Sequence, residues 1–367
     1  MTSPVDDVGT RRPRLADTRG DVESLLVARL ARVAELWGTD AGGRDPVLGD
    51  ADVPRLLSDL ALGGGKRLRP LFVHAGWSLA GGRDASSYGE VVTLGAALEL
   101  LHAFGLIQDD VMDLSETRRG SPAVHRRVAE LHHLAAGTGD AERYGESVAV
   151  LAGDLAHAEA ADLVAELPEP VRRAWHGLCL ELVRGQTRDL SFAACAGDRV
   201  DLDRAWEVAR AKSGAYTVQR PLELGGLLAH APRATQLRLS QVGRLLGEAF
   251  ALRDEIAGAW GDPALTGKPV GDDLRQGKAT VLVALAGERL VGGEAAALRR
   301  LLAQTHDEAD VATVSEAMLR HGVRADAEEM VTTRVVGAHD LLRSRDLDPE
   351  GVRDLGEVVE LVTGVPR

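Results

Sequence analysis

Three carboxylates, Asp109, Asp110 and Asp113, end a long apolar stretch of the chain. On a helix Asp109 and Asp113 lie one turn apart on the same face, with Asp110 on the flank. Like charges at this spacing repel each other, so the cluster favours a counter-charge. Carboxylate oxygens suit Mg²⁺, which usually takes its remaining ligands from phosphate and water. The spacing therefore indicates a magnesium-diphosphate site.

Two groups of cations flank this cluster. Arg118 and Arg119 follow it, and arginine grips phosphate with two parallel donors. Before it, three glycines ending at Gly65 precede Lys66 and Arg69, and glycines let backbone N–H groups converge on an anion. Each group also has a plain interpretation as a helix end with solvated charges.

The context of the carboxylates favours a site. They follow the run 91–107, which is apolar except for Glu99 and His102, and a solvated helix end needs no such apolar approach. The run is slightly short for a membrane span and carries two polar residues, so it is interpreted as a buried core helix.

Composition excludes several classes of function. The chain has 367 residues, with 43 Lys and Arg against 56 Asp and Glu, for a net charge of −13. An acidic chain lacks the basic face that nonspecific nucleic-acid binding needs. Cys179 and Cys195 have neither disulfide density nor metal spacing. The first residues contain no apolar segment typical of a signal peptide. We therefore expect a soluble, cytoplasmic protein with no membrane span.

Apolar residues recur at helical spacing along most of the chain, and no alternation is long enough to indicate a sheet. The predicted fold class is all-α, a single large bundle of antiparallel helices. A disordered arm is expected over residues 1–20, before one domain over residues 21–367. Helices are predicted at 21–37, 53–62, 147–166, 171–190, 202–228 with a kink at Pro221, and 235–260, with further helices over 279–362. Loops are predicted at 38–50, 137–145 and 261–277.

Taken in order, these motifs resemble the trans-isoprenyl diphosphate synthases, the polyprenyl synthetase family, and among them most closely the geranylgeranyl diphosphate synthases. The matching segments are Gly65–Pro70, Asp109–Asp113, Arg118–Gly120, Gly153–Leu155, Gly185–Leu190, Lys212–Ser213 and Phe250–Lys278. The resemblance implies helices around a deep central cavity, usually in a homodimer. It implies transfer of an allylic group to isopentenyl diphosphate.

The resemblance also implies roles for individual residues. Isopentenyl diphosphate would bind at the Gly65 turn on Lys66, Arg69, His102 and Arg119. A lone histidine on an apolar helix is usually a core residue, but His102 matches the position of a family ligand. The allylic diphosphate would bind three Mg²⁺ ions held by Asp109, Asp113 and Asp254, with Asp110 in the catalytic set. Its cationic contacts would be Arg118, Lys212 with Ser213, Lys268 and Lys278.

The chain departs from the family pattern at four positions. Gln108 and Ala251 replace a usual His and a usual Gln, and the second acidic motif reads Asp254-Glu255 with Gly258 in place of a third carboxylate. Two alternatives therefore stay open: a class I terpene cyclase on the same fold, and a weakly active partner subunit of a heteromeric synthase. The complete isopentenyl set argues against the first, and the intact first acidic motif argues against the second.

Product length is expected to depend on the residues below Asp109. Gly105, one turn below, leaves space, and Phe104 is the first bulky ring on that path. The resemblance associates an aromatic residue at this position with geranylgeranyl diphosphate synthases. We therefore expect a mainly C20 product, with C15 as the nearest alternative.

Overall fold

A computed structural model describes residues 12–40, 44–194, 200–261, 271–305 and 307–365. The fold is all-α, as predicted. The helices of the first half are α1 (Leu15–Asp40), α2 (Val53–Leu62), α3 (Leu68–Leu79), α4 (Ala85–Met112), α5 (Val124–Leu134), α6 (Ala141–Ala165) and α7 (Glu169–Ala194). A two-stranded hairpin, β1 (Thr117–Arg118) and β2 (Ser121–Pro122), lies between α4 and α5.

The second half begins with α8 (Leu202–Ala209), which runs through a π-helix (Arg210–Gln219) into α9 (Arg220–Leu228). The helices that follow are α10 (Arg233–Trp260), α11 (Asp272–Arg275), α12 (Val281–Arg289), α13 (Gly292–Leu302), α14 (Glu308–Arg320), α15 (Val323–Leu342) and α16 (Pro349–Thr363).

Helix α4 is the centre of the first half. It packs against α6, α3 and α1, and its apolar residues from Val91 to Ile107 belong to one buried cluster with those helices. Among the described helices it is the one long and apolar enough to cross a membrane, and most of that stretch is buried within the protein. This burial is typical of a core helix, as the sequence predicted.

Helix α10 is the centre of the second half, as α4 is of the first. It packs against the π-helix on one side and α15 on the other, within a second buried cluster that includes α12 and α16. The two helices, α4 and α10, each carry one of the acidic motifs near the C-terminal end. The fold therefore brings carboxylates that are 145 positions apart in the chain, Asp109 and Asp254, to the same cavity.

The predicted N-terminal arm is too long. Helix α1 begins at Leu15 and not at Asp21, and Arg12 before it is bound to the far end of the chain, donating to Asp348 at 3.2 Å and to Glu350 at 2.9 Å. These long-range ion pairs are invisible to a local pattern. Residues 1–11 lie outside the described part of the chain.

All three predicted loops are partly helical: α1 runs to Asp40, α6 begins at Ala141 and α11 covers Asp272–Arg275. Helix α6 begins at Ala141, inside the predicted loop 137–145, because Asp140 caps it by accepting from Glu142 N and Arg143 N. Gly145, which suggested a loop, lies in this helix and is buried. A Cβ there would lie 2.3 Å from the carbonyl oxygen of His125, so glycine permits the close approach of α5.

The interruption predicted at Pro221 takes another form. The ten residues before Arg220 form a π-helix, in which each N–H bonds to a carbonyl five residues back. Proline lacks an N–H and its ring clashes with the carbonyl four residues earlier in an α-helix. The wider helix before Pro221 accommodates both effects, and α9 then starts with proline in its first turn.

Candidate active site

A cavity of about 950 Å³ lies between the two halves of the fold. Its volume is near the upper end of the range for small-molecule sites. The predicted site residues that line it are Gly65, Lys66, Arg69, His102, Phe104, Gly105, Asp109, Arg118, Arg119, Lys212, Ser213, Asp254 and Lys278. Lys268 lies outside the described residues.

Asp109 is the centre of a charged network at the end of α4. Its Oδ1 accepts from Lys212 Nζ at 2.9 Å and from Gln186 Nε2 at 3.3 Å. Lys212 also bonds Asp189 at 2.7 Å. Burial opposes ionisation of Asp109, but Lys212 and Lys278 outweigh it and hold its pKa below the ordinary value. Asp109 is therefore an anion at neutral pH.

Asp113 is bound by a lysine from the second half of the chain. Lys278 Nζ lies 2.6 Å from Asp113 Oδ2 and 3.7 Å from Asp273 Oδ1. Burial and the nearby charge of Asp109 raise the pKa of Asp113, although Lys278 opposes this. The lysines thus hold the two carboxylates one turn apart despite their mutual repulsion.

Asp110 binds the first arginine of the pair that follows it in the chain. Its side chain is buried, and it accepts a bidentate pair of hydrogen bonds from Arg118. Asp110 and Asp113 are both absent from the cavity lining. Asp110 therefore positions Arg118, and its membership of the catalytic set stays a prediction. Arg118 reaches the cavity and lies 3.8 Å from Asp109 Oδ2.

The arginine pair is held by a hairpin that the sequence did not suggest. Arg118 pairs with Ser121 across the two short strands, and the two turn residues, Arg119 and Gly120, have φ of +53° and +75°. Positive φ at both central residues is the signature of a type I′ turn. The turn presents Arg118 and Arg119 to different ends of the same cavity. The Arg-Gly pair between short polar segments was the available signal.

The glycine turn before α3 holds Arg119. Gly64 and Gly65 have φ of +92° and +126°, which other residues rarely adopt. The Arg119 guanidinium donates to the carbonyls of Leu60, at 3.1 Å, and Gly64, at 2.8 Å. A Cβ on Gly65 would lie 3.4 Å from this guanidinium. Lys66 follows on the exposed rim.

Arg69 and His102 form the inner part of the same end. Arg69 is buried, donates to Thr217 Oγ1 at 3.1 Å, and has its guanidinium carbon 4.3 Å from the centre of the Tyr216 ring. Burial, and then the charges of Arg69 and Arg119, hold the pKa of His102 well below its ordinary value. His102 is therefore neutral at pH 7 and can contribute a hydrogen bond but no charge.

The contacts of Glu255 and Gly258 account for two departures of the second acidic motif from the family pattern. Glu255 accepts from the N–H groups of Val281 and Leu282, at 3.3 and 3.1 Å, in the first turn of α12. Burial raises the pKa of Glu255 to about 8, against the effect of these donors. Gly258 lies against a carboxylate from elsewhere, because a Cβ would be 3.4 Å from Asp273 Oδ2. Both Asp254 and Glu255 line the cavity, and Asp254 is the exposed one of the two.

The donor set fits magnesium bound together with a ligand. Among the described residues no three His, Cys, Asp or Glu side chains are grouped closely enough to hold a metal ion by themselves. Mg²⁺ in such sites is held by one or two carboxylates, with phosphate oxygens and waters completing six positions. Asp109 on α4 and Asp254 on α10 line the cavity, and Asp113, the residue after α4, is bound to Lys278, which also lines it. These three side chains supply carboxylates of this kind.

Several residues of the site are not among the predicted ones. Asp189 and Gln186 belong to the family motifs, and the structure shows that they position Lys212 and Asp109. Tyr216, Thr217 and Glu99 line the cavity without having been predicted. The spacing of Tyr216 and Thr217 from Lys212 and Ser213, four residues in each case, places all four on one side of the helix and was the available signal.

The apolar part of the cavity begins beside Phe104. Its ring centre lies 5.1 Å from that of His157 on α6, and a Cβ on Gly105 would meet open space. Val150 and Val183 line the same region from α6 and α7. The arrangement is a charged mouth above an apolar pocket.

Comparison with known proteins agrees with this geometry. The family model described as polyprenyl synthetase matches residues 52–318. A geranylfarnesyl diphosphate synthase of Aeropyrum pernix is 33% identical over 288 residues, covering 76% of this chain and 83% of that protein. A geranylgeranyl diphosphate synthase of Mycobacterium tuberculosis is 34% identical over 294 residues, covering 77% of each.

Among solved structures, geranylgeranyl pyrophosphate synthase from Corynebacterium glutamicum, complexed with isoprenyl diphosphate and magnesium, superposes with a TM-score of 0.88. It is 35% identical and the alignment covers 96% of this chain and 99% of that one. Sequence, fold and site geometry agree, and the chain belongs to the polyprenyl synthetase family.

Proposed function

We propose that this trans-prenyltransferase condenses isopentenyl diphosphate with an allylic diphosphate in a magnesium-dependent reaction. One observation carries the proposal: the cavity has two anion-binding ends of different chemistry. One combines carboxylates with Lys212 and Lys278, as a metal-bound diphosphate requires. The other presents Lys66, Arg69 and Arg119 and suits a diphosphate bound without metal.

The two ends of the cavity have different roles in the proposed reaction. Asp109, Asp113 and Asp254 would hold Mg²⁺, for which we propose three ions, and bound Mg²⁺ supplies charge stabilisation for the departing diphosphate. Arg118, Lys212 and Lys278 add fixed cations at the same end, with Ser213 beside them, and we keep Lys268 as a proposed contact. Preorganised charges of this kind stabilise the leaving group.

The apolar pocket protects the allylic cation left by bond cleavage. Apolar side chains from α4, α6 and α7 line the cavity below Asp109, and we propose that a bound allylic chain displaces water there, so that the double bond of isopentenyl diphosphate is the available nucleophile. Lys66, Arg69, Arg119 and neutral His102 fix that nucleophile by its own diphosphate. Attack by the double bond forms the new C–C bond and leaves a tertiary cation, which loses a proton from the adjacent carbon to the released diphosphate, so no side-chain base is required.

The experiment that tests the proposal is incubation of the full chain with Mg²⁺, isopentenyl diphosphate and allylic diphosphates of several lengths. Chromatography should show longer prenyl diphosphates, and none without Mg²⁺. Hydrocarbon formed from the allylic substrate alone would indicate a terpene cyclase instead. Absence of any product would indicate a partner subunit that acts only in a heteromeric enzyme.

We propose a mainly C20 product. The two relatives above are named for products that differ by one isoprene unit, so similarity alone does not set the length. The support is local: open space at Gly105 lets a chain pass, and the Phe104 ring against His157 closes the path beyond it.

We also propose a homodimer. Helices α6 and α7 each carry a large apolar side chain that is exposed and lies outside the cavity lining, Leu151 on α6 and Leu180 on α7. We infer that both belong to one apolar interaction surface. Light scattering should give twice the chain mass, and Leu151→Asp with Leu180→Asp should give monomers. A monomeric wild-type protein would exclude the proposal.

We further propose a cytoplasmic location. Cys179 is a free thiol, and burial raises its pKa to about 11, so it is an unreactive core cysteine of the kind that suits a reducing compartment. Recovery of the protein in the soluble fraction of fractionated cells would support this location, and recovery in membranes would contradict it.

A further inference from the structure

Four arginines line the cavity: Arg67, Arg69, Arg118 and Arg119. The charge of each lowers the pKa of His102. Such a concentration of buried cations is costly unless carboxylates compensate it. The four arginines differ in which groups compensate their positive charges.

Two of the arginines are neutralised by buried carboxylates. Arg118 is held by Asp110, as described above. Arg67 donates to Glu99 at 2.9 Å, and their side chains are only 3% and 4% exposed. Arg67 has φ of +51°, so its backbone is also set in an uncommon conformation at the start of α3. These two cations are committed to protein partners.

The other two arginines form no ion pair with a carboxylate among the described residues. Arg69 bonds a threonine hydroxyl and stacks on Tyr216, and Arg119 bonds two backbone carbonyls. With exposed Lys66 they make three cations, which matches the charge of one diphosphate monoester. Arg67, although it lines the cavity, is excluded from this set by Glu99.

Glu99 lines the cavity, and one of its carboxylate oxygens is available for a further hydrogen bond. Its Oε2 accepts from Arg67, while its buried Oε1 has no hydrogen-bond partner among the described residues. Buried carboxylate oxygens are normally satisfied, so this one requires an explanation. It places a negative charge beside the cations that receive the diphosphate.

We propose that Glu99 sets the anion affinity of the metal-free end of the cavity: it pairs with Arg67 and thereby prevents Arg67 from binding the diphosphate. The inference rests on the proposed isopentenyl site. A site with four available cations would bind any diphosphate tightly, including the one released by the reaction, and would exchange slowly. Glu99 limits the site to three cations. It is a positioning residue, because it acts through Arg67 and touches no reacting atom.

The test is a double-mutant cycle on binding of inorganic pyrophosphate, measured by calorimetry on the full chain without Mg²⁺. Without metal the carboxylate end repels the probe, so binding reports the cationic end, and Lys66→Ala should weaken it. Glu99→Gln keeps the shape and frees Arg67, so affinity should rise about tenfold, the worth of one charge-assisted hydrogen bond. Arg67→Gln leaves Glu99 unpaired and should weaken binding to a similar extent.

The pyrophosphate affinity of the double variant, Glu99→Gln with Arg67→Gln, should return to within about twofold of the wild type. The two substitutions remove one negative and one positive charge, so the net charge of the site is unchanged. A purely structural role for the pair predicts weaker binding in both single variants and no recovery in the double variant, which would overturn the proposal. If Glu99→Gln does not fold, Arg67→Gln and the double variant still decide between the two outcomes.

Glu23→Gln is the matched control. Glu23 is the second carboxylate near Arg67, at 3.5 Å, but it is 48% exposed and absent from the cavity lining. Its removal should leave pyrophosphate affinity unchanged, and a change as large as that of Glu99→Gln would contradict a specific role for Glu99. The cycle needs no turnover. Absence of condensation by the wild type would therefore refute the proposed function without being confused with this result.

Discussion

At the scale of single residues, the site is a set of carboxylates whose partners come from distant parts of the chain. Asp109 meets Lys212, and Asp113 meets Lys278. Each pair is mostly buried, so each charge depends on the other for its stability.

Replacement of Asp109 by Asn should lower kcat by at least about a hundredfold, because it removes a metal ligand and the charge that orients Lys212. The measurement is steady-state condensation at saturating Mg²⁺, with circular dichroism to establish that the fold persists. Asp346→Asn, at an exposed surface pair with Arg238, is the control and should keep full activity. If Asp109→Asn retains more than a tenth of the wild-type rate, the metal assignment is wrong.

Phe104→Ala should lengthen the product beyond C20. The substitution removes the ring that faces His157 and opens the apolar pocket, whereas the charged mouth is untouched. Chromatography of the products after exhaustive reaction is the measurement. A folded variant that still stops at the wild-type length would show that Phe104 is packing only and does not set the length.

At the scale of elements, the π-helix determines which residues reach the cavity. Its close contact with α10 depends on two glycines: a Cβ on Gly214 would lie 2.7 Å from the carbonyl oxygen of Gly247, and the reverse distance is the same. Gly185 of α7 approaches the backbone of Lys212 in the same way. Small residues on three helices therefore hold Lys212 and Tyr216 in place.

Gly214→Ala should destabilise the protein by about 1–3 kcal/mol, because the added methyl group must displace backbone of α10. It should also lower kcat through the shift of Lys212. Urea unfolding and condensation kinetics measure the two effects. Gly89→Ala is the matched control: Gly89 lies in α4 with open space around it, so alanine should be neutral or stabilising. Equal stability of the two variants would show that the glycine contact is not tight.

Much of the element pattern could be predicted from the sequence. Helix α2 begins at Val53 and ends at Leu62 as expected, because Asp52 caps it and glycines terminate it. The start of α1 and the π-helix could not be predicted, since each depends on a contact with a segment far away in the chain. The start of α6 and the β1–β2 hairpin have local signals that hydrophobic periodicity does not detect, the Asp140 cap and the Arg119-Gly120 turn. The motif residues were identifiable by type and spacing. Their supporting partners, such as Asp189 and Glu99, were not.

At the scale of the whole molecule, the two ends of the described chain are fastened together. Arg12 and Arg83 both pair with Asp348, which also caps α16 by accepting from Glu350 N and Gly351 N. Helix α16 in turn packs on α3, which carries Arg69 in its first turn, and Val362 of α16 reaches the cavity. The stability of this junction therefore bears on the site.

The junction predicts a pH dependence of stability. Burial opposes ionisation of Asp348, but hydrogen bonds from Arg83, Glu350 N and Arg12 outweigh it and lower its pKa to about 2. A carboxylate whose folded pKa lies below the unfolded value of about 3.9 stabilises the fold above that value, by about 2 kcal/mol, and loses this as pH falls toward 2. Asp348→Asn should therefore lower the Tm at pH 7 and flatten its decline between about pH 5 and pH 2.

Asn retains the capping hydrogen bonds, so the difference isolates the charge. Asp140→Asn is the matched substitution at the N-cap of α6, where no arginine ion pair occurs among the described residues, and should leave the pH profile unchanged. Identical profiles for wild type and Asp348→Asn would remove Asp348 from the explanation of acid unfolding.

The π-helix also constrains how the length of this segment can vary. Lys212 near its start faces Asp109 and Asp189, while Arg220 directly after it pairs with Glu181 at 2.7 Å. A single-residue deletion between them would rotate one anchor by about 100° relative to the other, the angle between successive residues of an α-helix. One of the two ion-pair sets would then point away from α7. Insertions and deletions should be rare here among functional relatives, although the residue types between the anchors are free to change wherever they avoid the glycine contacts.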